Sequence, residues 1–347
     1  MRKLASIRVA NNIFPIEGAD AIEAVRVDGW VCVAKKGEFQ IGDKGIYFEI
    51  DSFLPEADER FAFLAKQFTT FNGQKGARLR TMRMRGQISQ GLFLPLNLFP
   101  ELANANVGDD VTEVLGIEKW EPYIPTQLAG DVHGAFPSWL IQSDQERVQN
   151  LLLELEENKG QVFERTIKLD GTSMTVFRNM NAINKFGEIE GRTGVCGRNW
   201  DLKENESNSL WRVARRDRLI EALDFLGRNL SLQGELIGEN IQENPEKIKG
   251  LDFYVYNIQD IDKGVFVSPE ERHEILAVLA ENGFVIKSVP VLDEIVLNHT
   301  VEELLEMADG PSLNPAQRRE GLVYKRKDGQ FSFKTISNWY LEKHKNR

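Results

Sequence analysis

The hydrophobic pattern changes period part-way along the chain, and that change limits the architectures open to it. From residue 1 to about 115 the apolar residues fall into short β-rich runs divided by glycine-containing turns. Ile22–Ala34 is one (Val25, Val27, Trp30, Val31, Val33), and Ile46–Ile50 follows Gly42-Asp43-Lys44-Gly45. Gly91-Leu92-Phe93-Leu94-Pro95 and Val111–Leu115, after Gly108-Asp109-Asp110, add two more. Beyond Ser143, strands alternate with helices. Ser143 with Glu146 reads as a capping box ahead of Val148, Leu151, Leu152 and Leu155. Ser268-Pro269 with Glu271, and Thr300 with Glu303, mark two more helix starts, the second helix ending at Gly310. Ser209–Arg228 predicts an amphipathic helix with Leu210, Val213, Ala214, Ile220 and Leu223 on one side.

A chain of 347 residues is long enough for two domains, each with its own core. The pattern predicts an α+β protein: an N-terminal OB-type β-barrel over 1–118, a linker over 119–142 and a mixed α/β domain over 143–347. The linker is rich in Pro, Gly and Trp from Trp120 to Trp139. The net charge of −10 argues against indiscriminate coating of nucleic acid or anionic membrane, but permits a local basic groove. Cys32 and Cys196 lie far apart, with no C-x-x-C, which suits a reducing compartment and disfavours a structural zinc site. Arg8, Asn11 and Asn12 interrupt any apolar core after Met1-Arg2-Lys3-Leu4. The longest uncharged stretch, Gly86–Pro100, carries Gln, Ser, Asn and two prolines. No membrane span is expected; the protein is read as a soluble, intracellular monomer of the cytoplasm, with the nucleus left open.

Four segments carry chemistry-bearing residues. Lys168-Leu169-Asp170-Gly171 follows the β-like run Phe163–Ile167, placing a lysine at a strand end, an acid two positions on, and a glycine that allows close backbone approach. At its ordinary pKa of ~10.4 a lysine is almost wholly protonated and a poor nucleophile, so attack by its amine requires that pKa to fall. Gln233-Gly234-Glu235-Leu236-Ile237-Gly238 sets a carboxylate between glycines. Asp252-Phe253-Tyr254-Val255-Tyr256-Asn257-Ile258 is an aromatic strand. Glu320-Gly321-Leu322-Val323-Tyr324-Lys325 and Phe331-Ser332-Phe333-Lys334 form a hairpin around Asp328-Gly329. Each segment alone also reads as a turn acid, a core strand or an ordinary hairpin.

In that order, the set resembles motifs I, III, IIIa, IV and V of the covalent nucleotidyltransferases, the superfamily of polynucleotide ligases and mRNA capping enzymes. The resemblance implies that Lys168 is the nucleophile that becomes adenylylated, that Glu235 contacts the ribose, and that Phe253, with Tyr254 as second choice, stacks on the base. It implies that Glu320, with Asp170 and Glu235, holds Mg²⁺ or Mn²⁺, and that Gly171 and Lys334 contact the nucleotide. Lys334 is expected both to neutralise the α-phosphate and to depress the pKa of Lys168. Gly197-Arg198-Asn199 resembles the segment whose Arg and Asn contact nucleotide or 5′-phosphate. Arg147, at the expected helix start, is either the clamp on departing pyrophosphate or a solvated helix arginine. Asn257 stands where many relatives have Asp, and Ser332 where some have Lys.

Only 13 residues follow Lys334, too few for the C-terminal barrel of DNA ligases and capping enzymes. A barrel in front resembles instead the RNA ligases with an N-terminal OB domain, and Phe48–Pro55, Arg83–Gly91, Phe136-Pro137-Ser138, Ile336-Ser337-Asn338 and Tyr340-Leu341 extend that resemblance. Lys75, Arg78, Arg80, Arg83 and Arg85 carry five positive charges without an intervening acid, with Arg78 and Arg80 expected on one strand face; cations on an OB surface suit contact with RNA phosphates. Arg212, Arg215, Arg216 and Arg218 read as a solvated helix face. The resemblance implies an ATP-dependent RNA ligase that joins 3′-OH and 5′-phosphate ends, with a nicked RNA duplex as expected partner. A GTP-using capping-type transferase and an inactive RNA-binding repair scaffold are the alternatives.

Overall fold

A computed structural model describes residues 3–120, 131–183 and 188–343, and for Arg83 the backbone alone; the expected linker lies in part outside the described residues. The chain divides into two compact units that interleave in sequence. One comprises the described residues of Met1–Ile124, Val148–Glu154 and Leu341–Arg347, the other those of Pro125–Arg147 and Leu155–Tyr340. The return of 148–154 to the first unit has a local cause. Gly29 N donates to Gln149 O at 2.9 Å, and Trp30 Nε1 donates to Asn150 Oδ1.

The first unit is built from short antiparallel strands. Ala5–Val9, Lys44–Phe48 and Leu92–Pro95 form one sheet, with Lys44–Phe48 in the middle. Ile22–Ala34, read as a single run, is a hairpin of Ile22–Val27 and Trp30–Lys35, folded at Asp28 in the left-handed region. A further sheet takes Ser52–Pro55, Phe68–Phe71 and Gln74–Arg78, and Thr81–Met84 pairs with Gln87–Gln90. Val111–Leu115 is not a strand: Asp110 Oδ1 accepts from the Thr112 amide at 3.0 Å, capping a turn in which Leu115 N donates to Val111 O. Two cores hold these layers, one around Ile7, Ile46, Phe48, Leu54, Phe61 and Phe99, the other around Val25, Trp30, Cys32, Tyr47 and Phe93. The small β-barrel expected here is thus present as an all-β unit.

The second unit holds two sheets. A seven-stranded antiparallel sheet runs Val132–Ala135, Trp200–Leu202, Arg192–Cys196, Thr172–Asn179, Leu230–Gly238, Leu251–Asp260, Val265–Phe266. A five-stranded sheet runs Glu146–Arg147, Ser332–Ile336, Gly321–Arg326, Val162–Lys168, Val291–Val296. One face of the larger sheet buries Val176, Leu232, Leu236, Phe253, Val255 and Ile258 against helices Ser209–Arg216 and Leu219–Leu226 and helix Pro269–Glu281. Those first two were expected as one helix; Arg218, at φ 54, breaks it. Ser268 and Thr300 cap their helices as the sequence predicts, Thr300 in a full capping box with Glu303.

Ser143 does not begin a helix. Glu146–Arg147 pairs in parallel with Phe333 and Lys334, and the helix starts only at Leu152. Ser143 Oγ instead accepts from Gln145 Nε2 at 2.9 Å and Asn257 Nδ2 at 3.0 Å. Its hydroxyl is committed to tertiary partners, so tertiary pairing overrides the local capping signal. No helix among the described residues is long and apolar enough to cross a membrane.

Candidate active site

Lys168 closes the strand Val162–Lys168, and Glu320 immediately precedes the neighbouring strand Gly321–Arg326, whose Gly321 pairs with Lys168. This register brings two side chains 152 positions apart together: Lys168 Nζ donates to Glu320 Oε2 at 2.8 Å. Lys168 keeps 26% of its side chain open to solvent, enough to admit a reactant, while Glu320 keeps 12%. Gly321 is required by the crowding here, since a Cβ would sit on the Thr335 carbonyl and 3.0 Å from Ile336 Cα.

Glu235 enters from the other sheet. It lies inside Leu230–Gly238, opposite Ser173 on one side and Tyr254 on the other. The Gly171 amide donates to its carboxylate. Gly171 is forced as well: a Cβ there would meet the Leu236 carbonyl and lie 2.6 Å from Ile237 Cγ2. The K-x-D-G turn thus carries Lys168 and Asp170 up to Glu235.

The electrostatics follow from three acids around one amine. Burial pushes the Glu235 carboxyl up, Lys168 opposes it, and Glu320 and Asp170 push it further, to about 8. Burial and Asp170 likewise raise Glu320, against the pull of Lys168. On Lys168, burial favours the neutral amine, but the charges of Glu320, Glu235 and Asp170 outweigh it and hold the pKa above its ordinary value. The net direction is opposite to the lowered pKa that attack by the amine requires. Lys334 Nζ donates to Asp144 Oδ1 at 3.1 Å, and its positive charge also acts on Glu320.

Asp144 gathers the remaining cations. Arg198 Nη2 lies 3.7 Å from it, and Arg147 is the register partner of Lys334. Arg198 and Asn199 occupy the turn between Arg192–Cys196 and Trp200–Leu202, where Gly197 N donates to Trp200 O and Asn199 O accepts from Phe136 N. Arg147 belongs to an edge strand of the five-stranded sheet, beside Lys334, and not to a helix start. Among the described residues no three His, Cys, Asp or Glu side chains converge closely enough to ligate an ion directly. The acids fit a cation held through its water shell, because their crowding raises Glu235 in a way that added positive charge would relieve.

The expected base-stacking aromatic is corrected by strand parity. Phe253 pairs with Leu236 and is buried with it in the helix-covered core, on the face away from Glu235. Tyr254 shares the Glu235 face. Tyr256, not singled out in the sequence, does so too: its phenol hydrogen-bonds Ser173 and feels the charges of Glu235, Arg198 and Asp144. A register shift between Gln233 and Gly234 makes Tyr256 an additional residue and brings Asn257 to the Glu235 face as well.

In the first unit the basic run does not form one row. Arg78 is buried, donates to Asp51 Oδ1 at 2.8 Å and stacks at 3.8 Å over Trp120. Lys75 pairs with Glu56 at 2.9 Å. Arg80 falls after the strand Gln74–Arg78 and is exposed. Arg85 is exposed at the tip of the Thr81–Gln90 hairpin, at φ 48, a conformation that favours Gly or Asn. Arg83 pairs through its backbone with Ile88; its side chain lies outside the described residues. The break between the two strands, absent from the charge pattern, separates these cations.

Comparison with known proteins agrees with both halves. A family model described as an OB-fold domain matches residues 4–96, and the RNA ligase family model matches residues 161–336. The chain belongs to the RNA ligase family. It is 59% identical to Naegleria gruberi RNA ligase in its complex with pyrophosphate, covering 100% of each chain with a TM-score of 0.93. A lysine-substituted form of that ligase with ATP and Mn is 58% identical, covering 99% of this chain and 100% of that one, with a TM-score of 0.93. An aspartate-substituted form, described as apo, is 59% identical, with coverage of 100% and 99% and a TM-score of 0.94. No curated protein matches the chain.

Proposed function

We propose that the chain is an ATP-dependent RNA ligase in which Lys168 carries the adenylyl group. The observation that carries this reading is the convergence of Lys168, Asp170, Glu235 and Glu320, in a chain 59% identical over its full length to an RNA ligase. The Lys168 amine attacks the α-phosphorus of ATP; the P–N bond forms and the bond to pyrophosphate breaks, giving lysyl-AMP. The AMP passes to an RNA 5′-phosphate, displacing Lys168 and forming a 5′–5′ pyrophosphate link. An RNA 3′-OH then attacks the 5′-phosphate, closes the phosphodiester and releases AMP.

The site residues divide the work. Glu320 holds the Lys168 amine by a hydrogen bond, and the neighbouring acids Glu235 and Asp170 help keep its proton on until the nucleotide arrives. Lys334, Arg198 and Arg147 supply positive charge for phosphate and departing pyrophosphate, with Asp144 keeping Lys334 oriented in the meantime. Tyr254 and Tyr256 offer aromatic surface on the face where the nucleotide would lie. Asp170, Glu235 and Glu320 would hold hydrated Mn²⁺ or Mg²⁺, which when bound stabilises charge gathering on the phosphate oxygens.

Arg80 and Arg85, exposed on the all-β unit, are the cations best placed for RNA phosphates, while Arg78 and Lys75 serve acids of their own unit. Two buried free cysteines are consistent with a reducing compartment such as the cytoplasm. The substrate we favour is a nicked RNA duplex, acted on by a monomer. Sealing of a 5′-labelled nick, compared with unpaired ends of the same sequences, tests this: faster sealing of unpaired ends would exclude the nick as preferred substrate. The GTP-using and inactive-scaffold alternatives are not favoured, since this chain's relatives are ligases solved with ATP, AMP or pyrophosphate.

A further inference from the structure

Behind the aromatic strand lies a buried polar cluster that the adenylylation chemistry does not use. Lys325, Arg272, Glu164 and Asn257 are all nearly inaccessible to solvent. Arg272 Nη2 donates to both Glu164 oxygens, at 2.8 and 2.9 Å, and His273 Nε2 lies 2.9 Å from Glu164 Oε2. Two cations converge on one main-chain atom: Lys325 Nζ at 2.8 Å and Arg272 Nη1 at 3.2 Å donate to Tyr256 O. Lys325 also donates to Asn257 Oδ1, whose amide donates to Ser143 Oγ, next to the Asp144 that binds Lys334.

The position of that carbonyl gives the cluster its significance. Gly234 pairs with Val255 but Gln233 pairs with Asn257, so Tyr256 is the additional residue of a bulge. Bulges re-aim a side chain and need anchoring, because the additional residue loses its place in the ladder. Here Tyr256 keeps the face of Tyr254, its phenol meeting Ser173 beside Glu235, and the side chain that the bulge brings round to that face is Asn257. The anchor comes from the other sheet: Lys325 belongs to the strand that Glu320 introduces. Burying two cations with one acid is a costly way to fill space that apolar side chains would fill as well, so the arrangement points to control of geometry.

We propose that Lys325 is a positioning residue for the nucleotide site, fixing the Tyr256 bulge relative to the Glu320 strand. The inference rests on the ATP-ligase reading of that site. Arg272 shares the anchor, and Asn257 transmits it to the Ser143–Asp144 segment.

A double-mutant cycle on self-adenylylation with labelled ATP separates this from simple loss of packing. Lys325→Met is expected to raise the KM for ATP about tenfold with kcat within about threefold, because ground-state placement is lost while the nucleophile and acids remain. In a Tyr256→Ala background the same substitution should change KM by less than about twofold. Equal effects in the two backgrounds overturn the proposal, as does a fall in kcat at unchanged KM. Should Lys325→Met give no cooperative melt, the cycle is run with Asn257→Ala, and the same two outcomes decide. Failure of wild-type protein to take label, or labelling of Lys168→Met, would sink the ligase reading itself and is seen before the cycle begins.

Discussion

Lys168 Nζ sits 2.8 Å from Glu320 Oε2, so the nucleophile is paired with one of the acids assigned to the cation. Burial alone would free the amine; Glu320, Glu235 and Asp170 reverse its direction and hold the proton on. The acids thus restrain the nucleophile as well as serve the reaction. Glu320→Gln removes the first of those charges, so the Lys168 pKa should fall. The reaction of Lys168 with a neutral acylating reagent at pH 8, followed by peptide mass spectrometry, should speed up about tenfold for each unit of that fall, while self-adenylylation drops. Slower acylation in the variant would contradict the restraint.

Lys334 is expected to leave Asp144 for the phosphate. Lys334→Ala should reduce the rate of lysyl-AMP formation by about two to three orders of magnitude, the range found when one charge-stabilising donor is removed. Asp144→Asn, which leaves Lys334 without that carboxylate, should cost much less. Single-turnover labelling measures both, and a larger loss in Asp144→Asn would reverse the assignment.

The arginines of the all-β unit should separate by function. Arg80→Ala and Arg85→Ala should each weaken RNA binding and reduce the slope of log affinity against log salt by about one, with self-adenylylation unchanged. Arg78→Ala removes the partner of Asp51 and the cation over Trp120, so it should lower the melting temperature. An unchanged salt slope in both exposed variants would remove them from the RNA path.

Lys325 predicts a pH signature in stability. Burial and then Arg272 push its amine down, against Glu164, to about 7. The charged or titratable groups around it are Glu164 from its neighbouring strand and Arg272 and His273 from the helix. An unfolded lysine titrates near ~10.4, so between about pH 7 and that value the unfolded chain binds the additional proton and Lys325's contribution to stability rises with pH. The melting temperature of wild type minus that of Lys325→Met should increase from pH 7 to pH 9 in calorimetry. A constant or shrinking difference would refute the depressed pKa.

The residues whose role depends on backbone position were legible in the sequence. Lys168 at a strand end, Glu235 between glycines and Glu320 ahead of a hairpin all fall where the turn and strand signals put them. What could not be read depended on tertiary pairing. Ser143 carries a complete capping signal, yet its hydroxyl takes the Asn257 amide and the chain continues as a strand beside Lys334. The resemblance points to Phe253, but strand pairing sets Phe253 opposite Leu236 in the core, while alternation leaves Tyr254 and Tyr256 on the Glu235 face. The direction of the Lys168 pKa also escaped, because it depends on three acids brought together from separate segments and two sheets.

The most direct measurement is covalent labelling of the purified protein by α-³²P-ATP with Mn²⁺, resolved on a denaturing gel. Wild type should carry acid-labile label that pyrophosphate discharges, and Lys168→Met should carry none. Label on the Lys168→Met protein, or none on wild type, would contradict the assignment of Lys168 as the adenylylated nucleophile.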